Sequence, residues 1–181
     1  TGFMLFTNPV KKTTIVFGKY IASCLAVAIL VIFAYIVVCV SLLAIYQTLP
    51  VETAQSFGLC LLYGAAVVAV TFLFSAVSKG AMGATVMTLV LIMVISGIVE
   101  SVLMLAGQPY WFLISTAGDS ITMVYGGIEL ILAEFVPLDQ MGNFPFELET
   151  PDISLSVLAM VIYLAVGLFS SLIITNRRQL S

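Results

Sequence analysis

The chain has 181 residues, of which 62% are hydrophobic and 8% are charged, and its mean hydropathy is +1.22. Soluble domains are about 45–50% apolar and about 25% charged, and a soluble chain of this length buries only about 70% of its unfolded surface. The composition therefore excludes an ordinary soluble domain and indicates a chain that lies in lipid. The alternative is a chain buried inside a large soluble assembly. Because an open-ended structure in lipid must be helical, we expect an all-α membrane protein.

Residues 1–19 form a basic segment before the first long apolar run. They hold three of the six basic residues: Lys11, Lys12 and Lys19. Near the start of this segment lies an apolar cluster of four residues: Phe3, Met4, Leu5 and Phe6. Asn8 suits a helix cap and Pro9 the first helical position, so we expect a break there and a second element that continues into the first span. The segment either flanks a span at the lipid surface or docks a partner protein.

Four long apolar runs predict four transmembrane helices, because a helical crossing takes roughly 20 apolar residues. The predicted spans are residues 20–48, 54–78, 80–105 and 153–176. The tight turn around Lys79 makes the second and third spans an antiparallel hairpin. Small residues four apart permit close contact between helices in membranes. Such pairs occur at Ala22 and Ala26, Ala76 and Gly80, and Gly167 and Ser171.

The charges segregate in this four-span arrangement. All six Lys and Arg residues fall on one face, and the acidic residues, which begin at Glu52, fall on the other face or at its rim. Basic residues near span ends mark the cytoplasmic side. We therefore expect both ends of this chain, including the tail 177–181, to be cytoplasmic, and residues 107–152 to lie outside as an external helical region.

Within the external region, Ile121–Val136 predicts a helix that lies on the membrane surface. Its inner face would carry residues at roughly helical spacing: Ile121, Val124, Ile128, Ile131, Leu132 and Phe135. The rival interpretation is a fifth span. A fifth span would place Glu129 and Glu134 in lipid, at a cost of at least about 2.5–3.5 kcal/mol for a central charge. It would also move Arg177 and Arg178 to the outside.

The sequence contains few residues that could catalyse a reaction or bind a metal. The chain has no His, and its three Cys residues lie inside predicted spans, where small apolar packing residues are expected. Glu100 is the one charged residue within a span. The length of helix between Lys79 and Glu100 is roughly the thickness of the hydrocarbon layer, so Glu100 is expected at the outer interface. It is either an interfacial carboxylate without a specific role or a functional one. Gly18-Lys19 does not form an ATP-binding P-loop, because position 13 is Thr and position 20 is Tyr. We expect neither catalytic residues nor a metal site.

The stretch "PVKKTTIVFGK", residues 9–19, resembles the coupling segment of type-2 ABC (ATP-binding cassette) exporter permeases. In that family a short apolar helix precedes Pro-Val or Pro-Ile, an Arg follows two residues later, and Gly-Lys follows six and seven residues after the Arg. The matching residues here are Pro9, Val10, Lys12, Gly18 and Lys19. Lys12 stands in place of the family's arginine, and no acidic residue precedes Glu52.

The resemblance implies an ATPase-coupling site formed by eight residues: Phe3, Met4, Leu5, Phe6, Pro9, Lys12, Gly18 and Lys19. Its partner would be an ABC ATPase subunit that binds ATP and Mg, so this chain would not itself be an enzyme. The resemblance also implies two further spans upstream, a second permease copy or paralogue, a location in the plasma membrane, and no nucleic-acid partner. Two alternatives are a channel or uncoupled carrier, and a membrane scaffold or assembly protein. The substrate classes compatible with the resemblance are lipid-like molecules, peptides, antibiotics and ions.

Overall fold

The computed structural model describes residues 12–78, 81–126 and 152–177, and every regular element in these ranges is helical. The predicted all-α fold class with four long apolar helices is confirmed. The elements are α1 (Lys12–Tyr46), α2 (Glu52–Val77), α3 (Ala81–Leu89), a π-helical segment (Val90–Ile95), α4 (Ser96–Leu105), α5 (Ile114–Met123) and α6 (Ile153–Arg177).

Within the described ranges, four stretches are long and apolar enough to cross a membrane, as in a multi-pass membrane protein: Thr14–Tyr46, Glu52–Val77, Met82–Leu105 and Ile153–Ile174. We call the end of the bundle near Tyr46, Glu52, Leu105 and Ile153 the acidic end. The opposite end, near Lys19, Val77 and Ala81, is the basic end. The predicted continuation of the basic segment into the first span is observed from Lys12 onward, since α1 is one unbroken helix.

Helix α2 lies at the centre and packs against α1, α3, α5 and α6. Its contact with α1 is antiparallel, because the Tyr20 ring meets Phe72 while the Tyr35 ring meets Phe57, with centroids 5.8 and 5.2 Å apart. Both ring pairs are edge-on, a favoured aromatic geometry. Beyond this seam much of α1 is exposed, including Phe33, and in a membrane protein such apolar surface faces lipid or a partner.

A close helix contact joins α2 to α6, which run parallel. A Cβ added to Gly167 would lie 2.8 Å from the carbonyl carbon of Ala69, so only glycine permits this approach. The Ser171 hydroxyl donates a hydrogen bond to the Phe72 carbonyl oxygen over 3.4 Å. The predicted close contact at Gly167 and Ser171 is thus present. Ala22 and Ala26, by contrast, are exposed on α1.

The third span contains a feature that the sequence did not predict. The helix widens into a π-helical segment at Val90–Ile95, where the Ser96 N–H bonds to the Leu91 carbonyl oxygen five residues earlier. π-Helical turns are rare and are found often at functional sites. The segment therefore divides the span into α3 and α4 at its middle.

The structure after the third span differs from the prediction of one surface helix over Ile121–Val136. The helix here is α5, Ile114–Met123, and it ends within the range predicted for the surface helix. Residues 124–126 form a turn in which Gly126 has φ of 105°, a conformation that side chains other than glycine rarely adopt. The described part of Ile121–Val136 is therefore not one continuous helix. Four residues of its predicted inner face, Ile128, Ile131, Leu132 and Phe135, lie outside the described residues.

Candidate functional site

Helix α5 turns back into the bundle from the acidic end. The chain reverses after α4 at Gly107, whose φ is 62°. A Cβ on Gly118 would lie 3.1 Å from the Tyr63 ring, whereas Ile121 meets Ser56, so α5 runs antiparallel to α2. Tyr63 follows Glu52, the first residue of α2, by 11 residues, or about 16 Å at 1.5 Å per residue. The first turn of α5 therefore lies inside the bundle.

Small residues allow α5 to fit between α2 and α6. Ala117 is fully buried and forms a core cluster with Ala66 of α2 and with Ala159 and Met160 of α6. The rest of the buried surface of α5 is partly polar. The Thr116 hydroxyl is buried and, within the described part of the chain, has no hydrogen-bond partner. This helix is thus held by close packing of small side chains.

Glu100 meets the first turn of α5. The Ser115 hydroxyl donates a hydrogen bond to Oε2 of Glu100 over 2.8 Å, and Glu100 is half-buried. The N-cap residue of α5 is Leu113, whose side chain cannot cap the helix. A helix start leaves backbone N–H groups without partners in the helix and favours a nearby negative charge. Glu100 therefore supplies from α4 the carboxylate that α5 lacks at its own start.

Asp119 adds a second carboxyl group to this site, one helical turn beyond Ser115. Burial of the carboxyl group, followed by the negative charge of Glu100, raises the pKa of Asp119, although the residue as a whole stays exposed. Among the described residues no three His, Cys, Asp or Glu side chains come together as metal ligands. We call Glu100, Ser115 and Asp119 the carboxylate site. Its chemistry suits a proton or a single cationic group.

A chain of hydrogen bonds connects α1 to the other end of α5. Ser56 donates its hydroxyl proton to the Ile121 carbonyl oxygen over 2.9 Å. Its oxygen lies 2.6 Å from the Tyr35 hydroxyl, which must then be the donor in that bond, because a serine has a single hydroxyl proton. Three helices are thus joined through one serine side chain on α2.

The coupling residues that fall in the described ranges lie at the basic end. Lys12 begins α1, and both Gly18 and Lys19 are exposed on it. A Cβ on Gly18 would meet nothing within 4 Å. Glu100 lies on α4 near the acidic end, so the structure does not bring it together with these residues. The remaining five predicted site residues, Phe3, Met4, Leu5, Phe6 and Pro9, lie outside the described residues.

Ser56, Ser115 and Asp119 were not identified from the sequence. One signal was present: "ISTAGDSITM" carries hydroxyl groups and one carboxyl group between apolar stretches, with Ser115 and Asp119 four residues apart. Residues four apart share a helix face. The apolar spacing in Ile121–Val136 directed the prediction to a later stretch, of which only residues 121–126 are described, and away from α5.

The comparisons with known proteins are negative. No family model, no curated protein and no solved structure matches the chain. The likeness of residues 9–19 to a permease coupling segment stands on those residues themselves.

Proposed function

We propose that the chain is the membrane-spanning permease subunit of an ATP-driven ABC exporter. It forms part of the translocation path, and a separate ATPase subunit binds and hydrolyses ATP with Mg. A second permease copy or paralogue completes the path. In this proposal the chain lies in the plasma membrane with its basic end in the cytoplasm, so the coupling segment faces the ATPase and the carboxylate site lies in the outer half.

The observation that carries the proposal is the continuity of α1. One helix extends from Lys12, within the coupling segment, to Tyr46 at the acidic end. It holds no proline or helical break, so a displacement at its cytoplasmic end moves the helix as one body. A permease needs such a connection because its ATPase acts on one side of the membrane and release takes place on the other.

Two contacts transmit the movement of α1 to the rest of the bundle. Near the basic end, the Tyr20 hydroxyl donates to the Ala65 carbonyl oxygen of α2 over 3.1 Å. Nearer the acidic end, Tyr35 reaches α5 through Ser56. When α1 tilts, these hydrogen bonds move α2 and α5 with it. A shift of α5 then changes the position of Ser115 relative to Glu100, which opens or closes the carboxylate site.

The carboxylate site also supports a second candidate, an uncoupled cation carrier or channel. Acidic groups within the membrane-spanning region of a bundle are costly to place there and commonly mark ion pathways. This candidate requires no ATPase partner. The two candidates predict different behaviour of the isolated chain after reconstitution: only the carrier or channel conducts ions without an ATPase.

Purification of the tagged chain from native membranes in mild detergent tests the proposal. The exporter predicts that a protein with ATPase activity co-purifies and that vesicles containing both proteins transport only when ATP is added. Ion currents or cation flux from the chain alone, without an ATPase, would favour the uncoupled carrier or channel. If neither ATP-driven transport nor ion flux is observed, a scaffold or assembly protein becomes the better interpretation.

A further inference from the structure

The π-helical segment Val90–Ile95 changes which side of the third span faces the bundle. Ala84 and Thr88 of α3 are buried. After the segment, Ser96 is buried and Glu100 is half-buried. An uninterrupted α-helix turns by about 100° per residue, which would place Glu100 about 160° away from Ala84. A π-helical turn holds one extra residue, and this reduces the angle to about 60°. The segment therefore brings the covered residues of α3 and α4 to one side.

The same residues also allow a second arrangement, an α-helix without the π-helical turn. Each residue after the segment would then occupy the place that its successor holds now. Val99 would replace Glu100 opposite Ser115, and Ile95 would replace the buried Ser96. Both incoming side chains are apolar. We call the two arrangements the π register and the all-α register, and only the π register presents a carboxylate to α5.

The two registers exchange a polar contact for apolar ones. The π register keeps the hydrogen bond from Ser115 to Glu100 and leaves Ile95 and Val102 exposed. The all-α register breaks that bond and turns these two apolar side chains toward the bundle. Within the segment Val90–Ile95 no residue is buried, so the change displaces no core side chain there. The hydrogen bond between Ser115 and Glu100 is therefore what favours the π register.

We propose that Val90–Ile95 is a register switch for the carboxylate site. In the π register Glu100 faces Ser115 and the site is complete. In the all-α register α4 is turned by about 100°, Val99 faces Ser115, and Glu100 leaves the site. The switch opens and closes the carboxylate site of the proposed function, and in that respect it rests on that proposal. The registers are measured without an ATPase or a transport assay, so either proposal can fail while the other stands.

Two spin labels report the register directly. Cys24, Cys39 and Cys60 are replaced by alanine, and labelled cysteines are introduced at two exposed positions, Met82→Cys on α3 and Ile98→Cys on α4. Around the helix axis the labels lie about 60° apart in the π register and about 160° apart in the all-α register, so the second gives the longer distance. Double electron–electron resonance on the full chain in detergent measures both populations. The parent chain should give mainly the short distance.

Substitutions at the carboxylate site should change the two populations. Glu100→Leu removes the bond to Ser115, so the ratio of the long-distance to the short-distance population should rise by at least about 10-fold, as expected for a hydrogen bond to a charged group. Ser115→Ala should change the ratio in the same direction. Ser101→Ala is the matched control, because the Ser101 hydroxyl bonds to the Gly97 carbonyl oxygen within α4. It should leave the ratio unchanged.

A deletion distinguishes the switch from general destabilisation. Removal of Met93 takes one residue from the segment, so an uninterrupted α-helix then keeps Glu100 opposite Ser115. This variant should fold and give only the short distance, even when Glu100→Leu is added. Removal of both Met93 and Val94 turns α4 away from its present contacts, and it should lower the thermal stability where the single deletion does not.

Three results would overturn the proposal. The first is a ratio of the two populations that neither Glu100→Leu nor Ser115→Ala changes. The second is a long-distance population that persists after deletion of Met93. The third is a chain that no longer folds after that single deletion, because the segment would then not be one residue added to an otherwise regular helix.

Discussion

Ser115 of α5 donates a hydrogen bond to Glu100 of α4 over 2.8 Å, and this bond joins the re-entrant helix to the end of the third span. The two residues are 15 positions apart, on either side of the chain reversal at Gly107. Glu100 is therefore more than a charged residue at the rim of a span. It is part of what holds α5 in place.

The chemistry of position 100 predicts a difference between two substitutions. Glu100→Gln keeps an acceptor oxygen for Ser115, so we expect a small loss of thermal stability in detergent. Glu100→Leu leaves the Ser115 hydroxyl without this partner, which should cost about 1–3 kcal/mol. In the Ser115→Ala background the leucine substitution should cost clearly less, because the bond is already gone. Additive effects of the two changes would argue against the contact.

The raised pKa of Asp119 predicts a pH dependence of stability. In the folded chain the pKa lies above its ordinary value of 3.8, through burial and then the charge of Glu100. The folded state therefore holds a proton that the unfolded chain has already lost, so the contribution of Asp119 to stability falls as pH rises from 3.8 through the raised pKa. Asp119→Asn should remove this decline, and Glu100→Gln should reduce it. Melting curves in detergent across this range test the expectation, and parallel profiles for all three proteins would contradict it.

Gly167 predicts a steric limit in the contact between α2 and α6. A methyl group there would lie 2.8 Å from the backbone of Ala69, which cannot move aside as a side chain can. Gly167→Ala should destabilise the chain by about 1–3 kcal/mol, the usual cost of overpacking. Gly97→Ala is the control, because a Cβ at Gly97 meets nothing within 4 Å. It should be neutral or slightly stabilising, since alanine favours helix. A similar loss in both variants would show that the α2–α6 contact is looser than described.

The segregation of charge predicts the orientation of the bundle. In a chain freed of its native cysteines, single cysteines at Asp139 or Glu149 should react with an impermeant thiol reagent added outside intact cells. A cysteine at Lys79 should react only after the membrane is opened. Labelling at Lys79 from outside would contradict the four-span orientation.

The sequence was sufficient to predict the spans and one of the close contacts. Long apolar runs with few charges permit little besides a membrane helix, and Gly167 and Ser171 already had the spacing of a close helix contact. The surface helix at Ile121–Val136 was wrong in its described part for a reason that was visible. Gly126 and Gly127 stand side by side there, and adjacent glycines mark turns.

The remaining features depend on tertiary structure. A π-helical segment shifts the hydrogen bonds of Val90–Ile95 without a compositional signature. The hydrogen bond between Ser115 and Glu100 exists because α5 folds back into the bundle, and the buried face of α5 includes hydroxyl groups that sequence patterns assign to a surface. The buried position of α5 can therefore be recognised only when the arrangement of α2 and α6, between which it fits, is known.

The proposed exporter function is tested most sharply at the apolar cluster Phe3, Met4, Leu5 and Phe6. Burial of one Phe side chain is worth roughly 1.5–3 kcal/mol, so Phe3→Ala with Phe6→Ala should release a co-purifying ATPase or separate ATP hydrolysis from transport. Lys12→Ala should weaken the same contact less, since an exposed ion pair contributes about 0–1 kcal/mol. Phe33→Ala, at an exposed site on α1, is the matched control and should have no such effect. The measurement is ATP hydrolysis and transport by both subunits in the same vesicles. If the apolar cluster docks an ATPase, the double variant loses coupling while its membrane insertion stays normal. Normal coupling in that variant would overturn the proposed exporter function.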